Sequence, residues 1–206
     1  MSKYNLKTGD ILLFAGNSKS WFFKIFDGLI RYFTNSDYTH IGMVLKDPTF
    51  IHPKLEGYYV WESGLEKNPD PQDGKKKFGV QITHIDEIIG DYSKDGGKIY
   101  YRKLKYDLTS FSKENLDKVH DVVYDKPYDI NPVDWINAAL KKEGKHPQNT
   151  TTFWCSAFVG YIYTQCGIIG GSTDWTILSP NDFSQSGENL AFINNCSLCL
   201  EELYEI

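Results

Sequence analysis

A cysteine and a histidine far apart in the chain, with one carboxylate between them, are the groups here that could do chemistry together. The stretch Thr150-Thr151-Thr152-Phe153-Trp154-Cys155-Ser156-Ala157-Phe158-Val159 runs from polar residues through a cysteine into an apolar segment. In it Phe158, Val159, Ile162 and Tyr163 recur at helical spacing, and Gly167 is a plausible stop. A helix beginning near Thr152, with that hydroxyl as cap, puts Cys155 in its first turn. The unpaired backbone N–H groups and positive dipole end found there favour a thiolate, the nucleophilic form of cysteine. The structural alternative is a buried cysteine on a core helix, since free cysteines are among the most buried residues. A catalytic thiol needs a base within hydrogen-bond reach and a third group to orient that base. His40 and Glu62 have the required types. A carboxylate bonded to one ring nitrogen fixes the tautomer and leaves the other nitrogen to take the thiol proton. The Cys155 N–H at the helix start could receive a developing oxyanion, a contribution of ~3 kcal/mol in comparable sites.

The elements that must position these groups are legible in the apolar pattern. Ile11-Leu12-Leu13-Phe14, after the turn Thr8-Gly9-Asp10, reads as a buried strand. Residues 21–33 carry an apolar face (Phe22, Phe23, Phe26, Leu29, Ile30, Phe33) and predict an amphipathic helix, packed on the core or dipping into a membrane surface. Tyr38 to Leu45 predicts a strand with His40 near its start, and Tyr58 to Ser63 a second. Paired as a hairpin centred near Ile51, they place position 40 opposite 62, 42 opposite 60, and 44 opposite 58. His40, Gly42, Val44, Tyr58, Val60 and Glu62 then share one face. A slip of one residue would separate the histidine from the glutamate. Further on, the pattern predicts a solvated loop over 67–77, a strand over 79–82 and a helix to residue 89 with Thr83 as cap and Asp86 completing a capping box. A strand over 98–104, a helix over 112–124 and a short helix opened by Asn131-Pro132 follow. Ser179-Pro180 repeats the cap-plus-proline start, and residues 190–193 and 198–200 read as closing strands. Helices segregated from an antiparallel sheet make the fold class α+β. With no repeat and no linker, residues 1–206 read as a single domain.

Bulk properties bound the function. At 206 residues, with 41% hydrophobic and 24% charged residues, the chain has an ordinary globular composition. A net charge of −5 gives no reason to expect a nucleic-acid partner. No run reaches the ~20 apolar residues of a membrane span, and Met1 to Lys7 lacks a secretory apolar region, so the expected location is cytoplasmic. The four cysteines, Cys155, Cys166, Cys196 and Cys199, suggest thiols rather than a disulfide framework. Cys196-Ser197-Leu198-Cys199 has no second pair to complete a zinc site, and its strand-like context does not suit a redox motif. His52, His84, His120 and His146 read as solvated. Lys75-Lys76-Lys77 reads as a solvated loop face, with peripheral contact to anionic lipid as the alternative.

Six blocks occur in a telling order: Thr8-Gly9-Asp10-Ile11-Leu12-Leu13-Phe14, Tyr38-Thr39-His40-Ile41-Gly42-Met43-Val44, Trp61-Glu62-Ser63, Lys126-Pro127-Tyr128-Asp129, Trp154-Cys155-Ser156-Ala157-Phe158-Val159 and Leu178-Ser179-Pro180-Asn181-Asp182-Phe183. In this order the chain resembles the circularly permuted branch of the NlpC cysteine hydrolases. The YiiX-like group is nearest, and lecithin:retinol acyltransferase-like enzymes are more distant. The histidine precedes the cysteine, as in that branch, whereas ordinary papain-fold enzymes have the reverse order. The resemblance implies a permuted papain-like fold, with the cysteine helix packed on a small antiparallel sheet or partial barrel. It implies Cys155 as nucleophile, His40 as base and Glu62 as orienting residue, a place where relatives vary. Tyr38 and Trp154 are the expected substrate-side aromatics. The implied enzyme needs no metal or organic cofactor and acts on a peptide or an acyl- or lipid-linked substrate. The alternative is a lipid- or peptide-binding protein that keeps the fold without turnover. Nothing in the sequence specifies the oligomeric state.

Overall fold

The computed structural model describes residues 4–16, 37–94, 96–107, 109–131, 148–187 and 190–204. The helices expected over 21–33 and after Asn131, and His146, lie outside them. Six antiparallel strands form one sheet: β1 (Ile11–Ala15), β2 (Tyr38–Lys46), β3 (Tyr58–Leu65), β4 (Phe78–His84), β5 (Lys98–Lys105) and β6 (Ser197–Leu203), in the order β4-β3-β2-β1-β5-β6. Three α-helices accompany it among the described residues: α1 (Ile85–Lys94), α2 (Lys113–Val123) and α3 (Cys155–Gln165). The α+β class expected from the pattern is what the structure has.

The central strands are apolar on both faces because helices cover both. Ile11, Leu13, Ile41, Met43 and Trp61 pack with α2 and α3 on one side. Leu12, Phe14, Val44, Val60 and Ile99 pack with Ile85, Ile88 and Ile89 of α1 on the other. That α1 triplet, spaced i, i+3, i+4, makes one apolar stripe. The helix expected over 112–124 is α2, which Ser112 caps, its Oγ accepting from the Asn115 N–H.

Several of the six blocks singled out in the sequence are joints of this architecture. Asp10 is fully buried, and its carboxylate accepts from the backbone N–H groups of Lys7 and Leu104, both at 2.8 Å. The Gly9 carbonyl accepts from Tyr163 Oη of α3 at 2.6 Å, tying the cysteine helix to β1. Lys126 to Asp129 docks between β4 and the segment before α3: Val80 N–H donates to Lys126 O at 2.8 Å, Tyr128 N–H to Phe78 O at 3.0 Å and Phe153 N–H to Pro127 O at 3.2 Å. This docking needs Gly79, where φ is +153° and a Cβ would fall 2.2 Å from Lys126 O. Arg102 of β5 donates to the carbonyls of Phe183, Ser184, Leu198 and Cys199, fastening the 3-10 turn Pro180–Phe183 and β6 to the sheet. That turn opens as expected, with Ser179 N–H donating to Asp182 Oδ2 at 2.7 Å.

Several expectations are corrected. The β2–β3 register is displaced by two residues, Val44 facing Val60 and Lys46 facing Tyr58. An even displacement keeps every side chain on its face, so the shared face of His40 and Glu62 survives. Thr83 does not cap α1. It lies in β4, and its hydroxyl goes to Glu62, while Asp86 accepts from Tyr4 Oη at 2.5 Å. The 67–77 loop is not simply solvated. Lys77 is 7% exposed and bridges Asp70 at 2.9 Å and Asp73 at 2.8 Å, so it is not part of a lipid-facing cluster. His120 is half-buried and hydrogen-bonds Gln72 Oε1 at 2.8 Å. Residues 190–193 form no strand, only a single bridge between Ile169 and Phe192.

Candidate active site

The cysteine helix begins two residues later than a Thr152 cap required. Its N-cap is Trp154, with no side-chain hydrogen bond to the first turn, and Cys155 is the first helical residue. Thr152 Oγ1 donates instead to Asp129 Oδ2 at 3.1 Å. The first-turn N–H groups around Cys155 are therefore not taken by a capping side chain.

Two anchors hold that helix end. Ser156 Oγ at 2.7 Å and Trp154 Nε1 at 3.2 Å both donate to the Leu178 carbonyl, so the block ending in Asp182-Phe183 reaches the residues on either side of Cys155. Ser63 Oγ of β3 donates to Phe153 O at 2.6 Å. Gly160 admits the Leu178 side chain, whose Cδ1 lies 2.7 Å from where a Cβ would stand.

The histidine is built from the other end of the chain. His40 pairs with Phe14 across β1–β2, and the two rings lie 5.3 Å apart between centroids. Its Nε2 lies 2.6 Å from Glu62 Oε2. Glu62 is fully buried, and its second oxygen accepts from Thr83 Oγ1 at 2.6 Å. Gly64 makes room: a Cβ there would lie 3.4 Å from His40 Cε1 and 3.8 Å from Glu62 Oε2. Cys155 is the other side chain that, with Glu62, acts on the His40 imidazole. Consecutive residues of β3 thus serve the two halves, Glu62 holding the imidazole and Ser63 holding the backbone before Cys155.

Charge follows geometry. Burial opposes protonation of His40, but hydrogen bonds and charge from Cys155 and Glu62 outweigh it and hold the imidazole well above the ordinary histidine value. The other cysteines lack such a partner. Burial pushes the Cys166 thiol up to about 12 and also raises that of Cys196. All four cysteines are free, Cys196 and Cys199 included.

Of the five residues singled out from the sequence, three meet: Cys155, His40 and Glu62. Tyr38 donates its hydroxyl to Glu201 of β6 and stacks edge-on against Tyr100, and Trp154 is committed to Leu178. Three further residues at the centre were not singled out. Thr83 looked like a helix cap. Gln81 pairs with Glu62 across β3–β4 and is buried with its Nε2 unpartnered. Glu66, half-buried just past β3, interacts electrostatically with Glu62 and His40. The alternation Glu62-Gly64-Glu66 was the one available signal for it.

The fold places this chain among α+β proteins built on a six-stranded antiparallel sheet. No protein-family model and no curated protein matches the sequence. Among solved structures it is similar to the crystal structure of the metalloprotein yiiX from Escherichia coli O157:H7, at a TM-score of 0.53 and 15% identity, over 97% of this chain and 99% of that one. At that identity the likeness is one of fold, and it spans both chains nearly end to end. Among the described residues of this chain, no three His, Cys, Asp or Glu side chains are grouped to hold a metal ion. No described helix is long and apolar enough to cross a membrane.

Proposed function

We propose that the protein is a cysteine hydrolase or acyltransferase that works through a thioester on Cys155. The observation that carries this reading is the chain Thr83–Glu62–His40 beside Cys155: Glu62 accepts from Thr83 Oγ1 at 2.6 Å, its other oxygen lies 2.6 Å from His40 Nε2, and Cys155 acts on the same imidazole. His40, whose proton is held well above the ordinary histidine value, stands beside the Cys155 side chain, and Glu62 stabilises it at Nε2. The sulfur lone pair forms a bond to the substrate carbonyl carbon, and the C=O π electrons move onto oxygen. The uncapped first-turn N–H groups of α3 receive that oxyanion in this reading. As the C–N or C–O bond breaks, His40 gives its proton to the leaving amine or alkoxide. Water, or an acceptor hydroxyl or amine, then loses its proton to His40 as it attacks the thioester, and the thiolate leaves. The centre performs acyl transfer from an amide or an ester, as the resemblance to peptidases and lipid acyltransferases implies.

The test is mass spectrometry of the intact protein after brief exposure to a mixture of activated acyl esters and peptide amides. An acyl adduct on the Cys155 peptide is expected, together with fatty acid or peptide-fragment release. Both disappear in Cys155→Ala and His40→Ala. If no adduct forms, and iodoacetamide labels Cys155 only near the ordinary thiol range of ~8.5, the hydrolase is refuted and the binding protein is left.

A further inference from the structure

Among the described residues, two buried side-chain atoms lack a hydrogen-bond partner, Gln81 Nε2 and Thr173 Oγ1. Thr173 lies in the turn after Gly170. Gln81 lies inside the polar centre: it is 1% exposed and stands directly opposite Glu62 in the β3–β4 register. Opposite residues of an antiparallel pair project to one face, with Cβ atoms ~4.5–5.5 Å apart. Thr83, two residues along β4, shares that face, as its contact with Glu62 shows. The strand β4 therefore brings two donors to one carboxylate. Thr83 Oγ1 donates to Glu62 Oε1 at 2.6 Å, His40 Nε2 lies 2.6 Å from Oε2, and the Gln81 amide nitrogen is unused. An ionised carboxylate has room for about four donors, so places on Glu62 remain. A buried amide without an acceptor costs stability that an apolar side chain of the same length would not.

We propose that Gln81 is a positioning residue for the catalytic centre, whose amide donates to Glu62 once His40 is neutral and so keeps that carboxylate charged and in place. The inference rests on the cysteine-hydrolase reading for its catalytic consequence, though not for its titration. In that reaction His40 hands its proton to the leaving group, so the cation facing Glu62 disappears while the carboxylate stays buried. A buried charge without a facing cation is met by hydrogen bonds or takes up a proton. The titratable groups that face the imidazole are Cys155 from α3, Glu62 from β3 and Glu66 beyond it, and none of them supplies a cation in its place. Gln81 is the side chain of the centre with a donor to spare. The last torsion of a glutamine is soft, and turning about it redirects Nε2 within the shared face. By favouring the neutral imidazole beside an ionised Glu62, Gln81 lowers the pH at which His40 releases its proton and makes the ring a readier acid toward the leaving group.

The experiment is an NMR titration of the full-length chain, labelled with 15N in its glutamine side chains and 13C in its histidine rings. In wild type the Gln81 amide protons should move downfield in step with the His40 ring as pH rises through the His40 midpoint. Gln81→Met keeps the length and removes the amide. In it the His40 midpoint should rise by about one pH unit, and the kcat of acyl transfer should fall about tenfold with KM little changed, the effect of one hydrogen bond to a buried charge. Weakening the carboxylate itself would move the midpoint down instead. A spectator amide gives a different pattern: Gln81→Met melts higher, because an orphaned polar group is gone, and the midpoint stays where it was. A Gln81 amide signal that ignores the His40 titration, or an unmoved His40 midpoint in Gln81→Met, overturns the proposal. Should Gln81→Met fail to fold, the wild-type amide titration decides alone. If both NMR shifts occur and no substrate turns over, the positioning role stands and the hydrolase reading is what fails.

Discussion

Replacing Glu62 with glutamine isolates what its charge does for the candidate site. The amide keeps the shape, and it can still accept from one neighbour. The carboxylate it replaces is fully buried, with one oxygen 2.6 Å from His40 Nε2 and the other 2.6 Å from Thr83 Oγ1. A hydrogen bond to a charged group contributes ~1.5–3 kcal/mol and a neutral one ~1, so the substitution should remove ~1.4 kcal/mol from the imidazolium. That is roughly one pH unit in the His40 midpoint and about a tenfold smaller population of the thiolate–imidazolium pair. The assay is the second-order rate of Cys155 alkylation by iodoacetamide at pH 6, which should drop about tenfold. Stability supplies a second readout. Because the fold raises His40 above the ordinary value of 6.5, its contribution is complete below that pH and is lost as pH climbs through the folded value. Urea unfolding of wild type should therefore weaken from pH 6 to pH 9, and Glu62→Gln should flatten that fall. An unchanged alkylation rate with an unchanged pH dependence would refute the reasoning.

Two other substitutions probe the frame around the site. Gly64→Val should cost about a hundredfold in Cys155 acylation by an activated ester, with little change in melting temperature. Its Cβ would start 3.4 Å from His40 Cε1, and misplacement of a catalytic group by an ångström has an effect of that order. Lys77→Ala leaves Asp70 buried without its cation and should lower the unfolding free energy in urea by about 3 kcal/mol, while Lys76→Ala, at an exposed position, should leave it unchanged.

Much of the sheet was legible because buried strands announce themselves by apolar runs between turns. The face shared by His40 and Glu62 was legible too, and it withstood a wrong register because parity, not pairing, decides the face. Helix ends were read less well. Thr152 and Thr83 both have the chemistry of a cap, yet each gives its hydroxyl to a carboxylate that the sequence places far away, Asp129 and Glu62. Local propensity cannot see such competition. Lys77 and Glu66 were hidden for a related reason: a charged residue in a polar loop looks solvated until the fold decides what closes over it.

What the residues determined by themselves was local. Period two put an imidazole and a carboxylate on one side of a hairpin, and period 3.6 put a cysteine at the start of a helix. That those two local facts concern one place was decided only by tertiary packing. Ser63, Leu178 and Tyr163 anchor α3 so that its first residue arrives at the end of the sheet where β2 begins and β3 stops. No periodicity relates residues that distant, because their meeting depends on how whole layers dock. The same docking buries Glu62 fully and His40 in large part, and it is burial that turns a pair of ordinary side chains into a strongly coupled one.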